Sequence, residues 1–307
     1  MFDIAVILIN YNSSRLTIEC IASVVQKTPA KLNYQIVVVD NCSKDEDYHA
    51  LQLGLKTIDF ENLKLVRSRI NTGFGGGNMT GVHYADAKYY AFINNDTVFK
   101  NDCLSILKNA MDTNASYGIT GPQAYTGEDK FMVSLDHFSS PARELFGRNV
   151  LEAINPKMYP KRKKTYTSPV KVNYIPGSFM FVRAADFNAV GGFDTNIFLY
   201  YEETDLCKRL NAKGKAAYLI PEAEFIHYHG GSTEKSLAIK KELKISALYV
   251  MGKHYGASGR FIVHIYLIIK YFFSSLAKPR YWSLFWLLLK GAPLSSSLKL
   301  KQVIAEK

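Results

Sequence analysis

The stretch Tyr89-Tyr90-Ala91-Phe92-Ile93-Asn94-Asn95-Asp96-Thr97 constrains this chain most. Five consecutive aromatic or apolar residues stop abruptly in two amides, a carboxylate and a hydroxyl. Such a run suits a strand covered on both faces, and in open α/β sheets the ligand crevice lies beyond the carboxyl ends of such strands. Asp96 is then expected at the crevice mouth, where a lone carboxylate can ligate a hard divalent cation that also holds phosphate oxygens. The plainer alternative is an Asx turn or helix N-cap that merely closes the strand. The rest of the chain has to decide between them.

Other strand ends repeat the pattern. Ile4 to Ile9 reads as a first strand running into Asn10-Tyr11-Asn12-Ser13-Ser14, and Leu16, Cys20, Ile21, Val24 and Val25 follow at helical spacing. Gln35 to Val39 ends in Asp40-Asn41-Cys42-Ser43. Leu63 to Val66 leads into a segment with glycines at 73, 75, 76, 77 and 81, and a helix through His83 and Ala87 is expected to return the chain to the Asp96 strand. Three strand–helix units followed by that strand describe a mostly parallel sheet with polar tips gathered on one edge. The glycine density suggests close approach of backbone to a ligand. It fits neither the G-x-G-x-x-G dinucleotide fingerprint nor a Walker loop, which lacks its Gly-Lys-Ser/Thr here.

Further along, Leu104, Leu107 and Met111 mark a short helix and Tyr117 to Tyr125 a strand. Thr126 to Lys171 carries little pattern, and its basic run 161–164 reads as a solvated loop. Two short strands are expected around Pro176-Gly177-Ser178, then a helix from Glu202 closed by Gly214. Two more follow at Ala216 to Ile220 and Glu224 to Ile226, the last delivering His227.

Composition narrows the setting. With 307 residues and 48% hydrophobic content the chain can bury a large core. Cys20, Cys42, Cys103 and Cys207 are scattered without a C-x-x-C pair, which fits a reducing cytosol. The N-terminal apolar run lacks a basic leader, so it reads as a strand and not as a signal peptide. The net charge of +11 is concentrated: from Lys253 onward nine Lys or Arg face one acid, a local +8. These cations alternate with Phe261-Ile262-Val263, Tyr271-Phe272-Phe273 and the Trp282 to Leu289 run, a composition suited to an anionic bilayer surface and not to nucleic acid. Neither apolar run, Phe261 to Ala277 or Tyr281 to Leu289, spans a bilayer comfortably. Two amphipathic helices lying in the headgroup region are expected. The same faces could instead pack on the remaining chain or pair two copies in a homodimer.

The ordered set Tyr11-Asn12, Val37-Val38-Val39-Asp40, the Asn71 to Asn78 glycine segment and Asn94-Asn95-Asp96 resembles the family 2 glycosyltransferases, especially the rhamnosyltransferase-like members. Gly191-Gly192-Phe193-Asp194, the Phe198 to Arg209 segment and the closing histidines extend the resemblance over residues 3–235. It implies a GT-A nucleotide-sugar-binding fold, with a catalytic domain at 1–235 and a C-terminal membrane-associating helical region at 236–307. The donor half would occupy about 1–125 and the acceptor half about 126–235. The implied activity is inverting, metal-dependent transfer of a sugar, rhamnose at family level, from a dTDP- or UDP-linked donor to a glycan or polyprenyl-diphosphate-linked acceptor. The implied setting is the inner face of the cell membrane.

The resemblance also implies roles. Tyr11, Asn12, Asp40, Asn41, Asn71, Gly76, Asn78, Asn95 and Asp96 would bind the donor. Tyr11 can stack on the base and Asp40 accept from its N3–H. Asp96 is the last residue of the family's D-x-D and, with His227, would ligate Mg2+ or Mn2+; Asn94 stands where the first aspartate is expected. Glu203 is placed as the general base, with Glu202 and Asp205 toward the acceptor. The alternatives are a sugar-nucleotide nucleotidyltransferase, whose Gly-rich Arg-containing loop after the first strand is missing here, and a non-catalytic membrane-bound sugar-binding relative.

Overall fold

The computed structural model describes residues 1–228 and 236–305. Among them nine strands form one sheet: β1 (Phe2–Asn10), β2 (Tyr34–Asp40), β3 (Leu63–Arg67), β4 (Ala87–Asn94), β5 (Thr97–Phe99), β6 (Tyr117–Tyr125), β7 (Val170–Val172), β8 (Phe179–Arg183) and β9 (Ala216–His227). The helices are α1 (Ser14–Lys27), α2 (Asp45–Leu55), α3 (Gly73–Val82), α4 (Cys103–Thr113), α5 (Pro141–Phe146), α6 (Arg148–Ile154), α7 (Ala184–Ala189), α8 (Glu202–Ala212), α9 (Leu237–Ala277) and α10 (Trp282–Leu289).

The sheet runs β3-β2-β1-β4-β8-β6-β9-β5, with β7 added on β9. β3, β2, β1 and β4 are mutually parallel, as expected of the strands with polar tips; β8 joins β4 antiparallel. β1 is inside the sheet and covered on both faces, which explains its unbroken apolar run: Ile4 to Leu8 are fully buried. Alternation sorts the residues of β4 in the same way. Tyr89, Ala91 and Ile93 pack with α1 and α4 on one face, and Tyr90 and Phe92 with α7 and α8 on the other.

Three local expectations change. The five glycines lie in α3, whose backbone packs against the sheet: a Cβ at Gly81 would strike Ile7, and one at Gly77 would meet Ile9 2.8 Å away. Small residues here admit close helix–strand packing, and α3 ends at Val82, leaving Ala87 to open β4. The two strands expected around Pro221 are one, β9, in which the register against β6 shifts at Pro122/Gln123.

The third change concerns the C-terminal helices. The helix begins at Leu237, well before the apolar run, and Gly256 (φ 67°) folds it back on itself. Lys240 Nζ reaches Tyr281 Oη at 2.7 Å and Lys244 Nζ lies 5.8 Å from the Tyr271 ring, separations possible only in a hairpin. By length and composition this is the one described helix suited to crossing a membrane. Its first arm is fastened to the rest of the chain: Ser246 Oγ donates to the Leu199 carbonyl at 2.9 Å and Lys253 pairs with Asp194 at 2.7 Å. The second arm and α10 close a small core of Val263, Leu267, Leu284 and Leu288. His264, which interrupts the apolar run in sequence, faces inward and lies 2.6 Å from the Leu288 carbonyl. The expected boundary at 235 falls among residues 229–235, outside the described residues.

Candidate active site

Parallel register sets the polar tips side by side. Asn10 pairs across from Asp40 and Ile9 from Asn94, so the ends of β1, β2 and β4 share one edge. Asn10 is the hub of that edge. Its amide donates to Asp40 Oδ1 (2.9 Å), Ser43 Oγ (3.1 Å) and Asp47 Oδ2 (2.9 Å), and its oxygen accepts from Thr17 Oγ1 at 2.8 Å. Asp40 is fully buried and also accepts from the Ser43 amide at 3.2 Å, with Arg67 Nε 3.6 Å away. Asn12, at φ 50°, accepts from the Lys44 amide at 2.9 Å and ties the two loops together. Tyr11 between them is 43% exposed, its ring available at the crevice mouth.

The next loop is clasped to these. Asn41 Oδ1 accepts from the amide and hydroxyl of Thr72 (3.1 and 3.0 Å), and its Nδ2 donates to Asn71 Oδ1 at 3.0 Å. Gly73, at φ +74°, opens α3 where a Cβ would collide with the Phe198 carbonyl. Gly76 leaves room for the Thr72 side chain, and Asn78 Nδ2 donates to the Phe74 carbonyl at 3.1 Å inside the helix. Asn95 is buried and donates to Ser13 Oγ and Thr17 Oγ1 (2.7 and 2.8 Å), bracing the β1–α1 turn.

Asp96 occupies the turn between β4 and β5. Because β5 pairs antiparallel with β9, Thr97 faces His227 across the ladder, and Tyr228 donates its amide to the Asp96 carbonyl at 3.0 Å. Two residues 131 positions apart are thereby fixed together: His227 Nε2 lies 3.1 Å from Asp96 Oδ1, both side chains buried. Asp96 Oδ1 accepts no aligned hydrogen bond among the described residues. His229, the second of the closing histidines, lies outside the described residues.

Beside β4, at the start of β8, the Ser178 carbonyl accepts from the Asn94 backbone amide at 2.9 Å, and the neighbouring Gly177 donates its backbone amide to Glu203 Oε1 at 3.2 Å. The two residues preceding α8, Tyr200 and Tyr201, hold φ of 70° and 77°, a left-handed geometry that costs bulky residues and is kept where the surroundings demand it. Glu203 is half-buried and lines a cavity of about 350 Å³, whereas Glu202 is buried with an unpartnered Oε1. Burial raises the pKa of both, and the charge of Glu203 raises Glu202 further. A carboxylate poised above its ordinary range beside a cavity is equipped to take up a proton.

Asp205 has no face left for a ligand. It is fully buried; Oδ2 accepts from Arg209 Nε and Nη2 (2.9 and 2.7 Å), and Oδ1 from His254 Nε2 and Lys253 Nζ (2.7 and 2.8 Å). It ties α8 to α9, so the acceptor role drawn from the resemblance does not fit its surroundings. Sequence reasoning also missed Asn10, Gly177 and the basic residues that line the cavity beside Glu203, Arg143, Arg148 and Lys244. Only the first carried a signal, an amide at a strand tip.

Comparisons with known proteins bear on the family and the fold. The model for glycosyl transferase family 2 matches residues 5–188. The chain belongs to glycosyl transferase family 2. It is 31% identical over 232 residues to the rhamnosyltransferase WbbL of Escherichia coli strain K12, covering 72% of this chain and 83% of that protein. An N-acetylglucosaminyl-diphospho-decaprenol L-rhamnosyltransferase of Mycobacterium tuberculosis is 31% identical over 98 residues, 31% of this chain and 32% of that one. Among solved structures, the mannosyltransferase PcManGT of Pyrobaculum calidifontis, in complex with GDP-Man and Mn2+, superposes with a TM-score of 0.57 at 14% identity, over 96% of this chain and 89% of that one. GalNAc-T7 with UDP, GalNAc and Mn2+ gives 0.62 at 14% identity, over 83% and 49%. The fold is the expected GT-A fold, and the chain is a glycosyltransferase of the rhamnosyltransferase-like group.

Proposed function

We propose that this chain is an inverting, metal-dependent transferase that moves a sugar, with rhamnose favoured, from a dTDP- or UDP-linked donor to a lipid-linked glycan hydroxyl in cell-surface polysaccharide synthesis. The observation that carries it is the juxtaposition of Asp96 and His227 beyond the end of β4, with Glu203 held by Gly177 beside the next strand of the sheet. Two ligands at right angles on an ion, each about 2.1 Å from it, stand about 3.0 Å apart. The 3.1 Å between Asp96 Oδ1 and His227 Nε2 fits that arrangement. Among the described residues no third His, Cys, Asp or Glu joins them, so Asp96 and His227 are the side chains that would hold the ion. When bound, Mg2+ or Mn2+ would supply charge neutralisation for the leaving diphosphate.

In this reading the chain's own residues do the rest. Tyr11 offers a ring face to the base, and Asp40, buried beside Asn10, Ser43 and Arg67, fixes the loop that flanks it. Asn12, Asn41, Asn71, Gly76, Asn78 and Asn95 hold the loops that shape the donor crevice. Glu203 Oε takes the acceptor hydroxyl's proton on the face away from the diphosphate, the geometry of inversion. Glu202 lies buried behind it, its pKa pushed up by burial and by the Glu203 charge, and Asp205 positions α8. Membership of a glycosyltransferase family favours transfer over the nucleotidyltransferase alternative.

Placement on the inner membrane face rests on the second arm of α9. Phe261, Ile265, Ile269, Phe272, Phe273 and Leu276 fall on one outward stripe, with Phe273 64% exposed, and Lys270, Lys278 and Arg280 border it. The test of the function is release of free nucleoside diphosphate from dTDP-rhamnose, and from a panel of other nucleotide sugars, on adding acceptor and Mn2+. Acceptor-dependent, EDTA-sensitive release is expected; no release from any donor would refute the reading.

A further inference from the structure

The segment that follows α10 runs back to the donor edge of the sheet. A short turn brings Ser297 to the first arm of α9, where the buried Glu242 receives it: Ser297 Oγ donates to Glu242 Oε1 and the Leu298 amide to Oε2, both at 2.7 Å. Lys299 Nζ then donates to the Thr195 carbonyl at 2.6 Å, on the loop whose Phe193 and Asp194 lie against Gly75 of α3. Ala305 pairs with Arg69, 236 positions away, in both directions. Its amide donates to the Arg69 carbonyl at 2.7 Å, and its carbonyl accepts from Arg69 Nη2 at 3.2 Å.

Arg69 belongs to the β3–α3 loop, which is tied to the donor edge on its inner side. The Ser68 amide donates to the Asp40 carbonyl at 2.8 Å, and Asn71 Oδ1 accepts from Asn41 Nδ2 and the Gly73 amide at 3.0 and 2.9 Å. The returning segment grips the same loop from outside, and its own hold is slight. Leu300, Val303 and Ile304 are exposed, Val303 to 81%, so polar contacts near its two ends fasten it and apolar burial does not. A segment held in this way opens for a small part of the global unfolding free energy. It adds little to the stability of the sheet, yet when closed it restricts the positions open to Arg69 and, two residues on, to Asn71.

We propose that residues 297–305 are a strap that holds the β3–α3 loop in its nucleotide-binding form, with Arg69 as the positioning residue through which it acts. The inference rests on the donor reading of that loop and adds a coupling to it. If the closed strap favours bound nucleotide, bound nucleotide must favour the closed strap by the same factor. When the strap opens, the loop keeps its inner ties but spends less time in the competent form, and apparent affinity falls by that fraction. Because the strap leaves α10 and is anchored on α9 at Glu242, the helical hairpin and the donor loop share one connection.

Hydrogen exchange on the full chain, with and without dTDP or UDP in the presence of Mn2+, reads the coupling. Nucleotide is expected to slow exchange in 297–305 as well as in 68–73, a response that a merely structural tail would not give. Arg69→Ala is expected to speed exchange at 68–73, to weaken the nucleotide-induced protection of 297–305, and to raise the nucleotide Kd by roughly three- to tenfold, the scale of one lost hydrogen-bonded contact. Arg69 is exposed, so the variant should melt near the wild type, and Arg69→Lys should recover part of the affinity. Ser297→Ala, at the other end of the strap, should shift the Kd in the same direction. In transfer assays both variants should raise the donor KM and leave kcat within about twofold. Nucleotide that protects 68–73 but not 297–305, or wild-type affinity in both variants, would overturn the strap. Failure of either nucleotide to protect 68–73 in the wild type would overturn the donor reading and the coupling with it, whereas faster exchange there in Arg69→Ala would still support the tether.

Discussion

Replacing Asp205 by Asn separates a structural tether from an acceptor ligand. The carboxylate is fully buried and receives four contacts between 2.7 and 2.9 Å, from Arg209 twice, His254 and Lys253. Removing one partner of a buried ion pair costs about 3–5 kcal/mol. Asn keeps the shape and one acceptor oxygen, Lys253 retains Asp194 at 2.7 Å, and Arg209 retains the Val190 carbonyl at 2.7 Å. A loss of roughly 2–3 kcal/mol is therefore expected, a fall in melting temperature of roughly 3–5 °C for a chain of this size. Urea and thermal unfolding read it, and limited proteolysis should show α9 cleaved sooner. Acidity gives a second readout. Burial alone would raise the Asp205 pKa, but the His254 hydrogen bond and the Arg209 and Lys253 charges pull it well below the usual range. A depressed carboxyl contributes stability that is complete above the unfolded value of about 3.9 and lost as pH falls through the folded value. The wild-type advantage over Asp205→Asn should thus shrink only in strong acid. Unchanged stability with a raised acceptor KM would refute the tether and return Asp205 to the acceptor.

Three further outcomes follow from the same geometry. Asp96→Asn should lower turnover on the order of 10²-fold and His227→Ala weaken Mn2+ dependence on the order of tenfold, both with circular dichroism unchanged; Mn2+ titration of the transfer rate checks them. Burial raises the Glu203 pKa, and a base must be deprotonated, so kcat/KM should fall as pH drops through a value above the 4.5 of an ordinary glutamate; a profile flat from pH 4.5 to 8 would contradict this. Gly73→Ala should destabilise by at least about 1 kcal/mol in urea, because its φ of +74° disfavours a Cβ and the Phe198 carbonyl occupies the space.

What was legible in the sequence was local. β1, β2 and β4 could be read because strands buried on both faces are unbroken apolar runs, and their polar tips marked the edge where the crevice lies. Asp96 and His227 were separately visible as strand-end residues, and the β5–β9 ladder that joins them confirms only that they meet. The glycines of α3 misled because a packing requirement and a ligand requirement leave the same residue type. The hairpin at Gly256 stayed hidden, since one glycine in a helical pattern does not announce a reversal. Asp205 could not be assigned because His254, 49 positions away, supplies the contact that defines it. Arg143 and Arg148, which line the cavity beside Glu203, were missed because α5 and α6, six and seven residues long, are too short for a periodic signal.

The central claim is that Glu203 removes the acceptor proton while the donor is held elsewhere, and Glu203→Gln tests it most directly. Donor Kd and kcat should be measured on the same preparation with Mn2+ and acceptor. The expected result is a donor Kd within about twofold of wild type and a kcat lower by on the order of 10² or more. Near-normal kcat in Glu203→Gln, or the same loss appearing in Glu202→Gln alone, would contradict it.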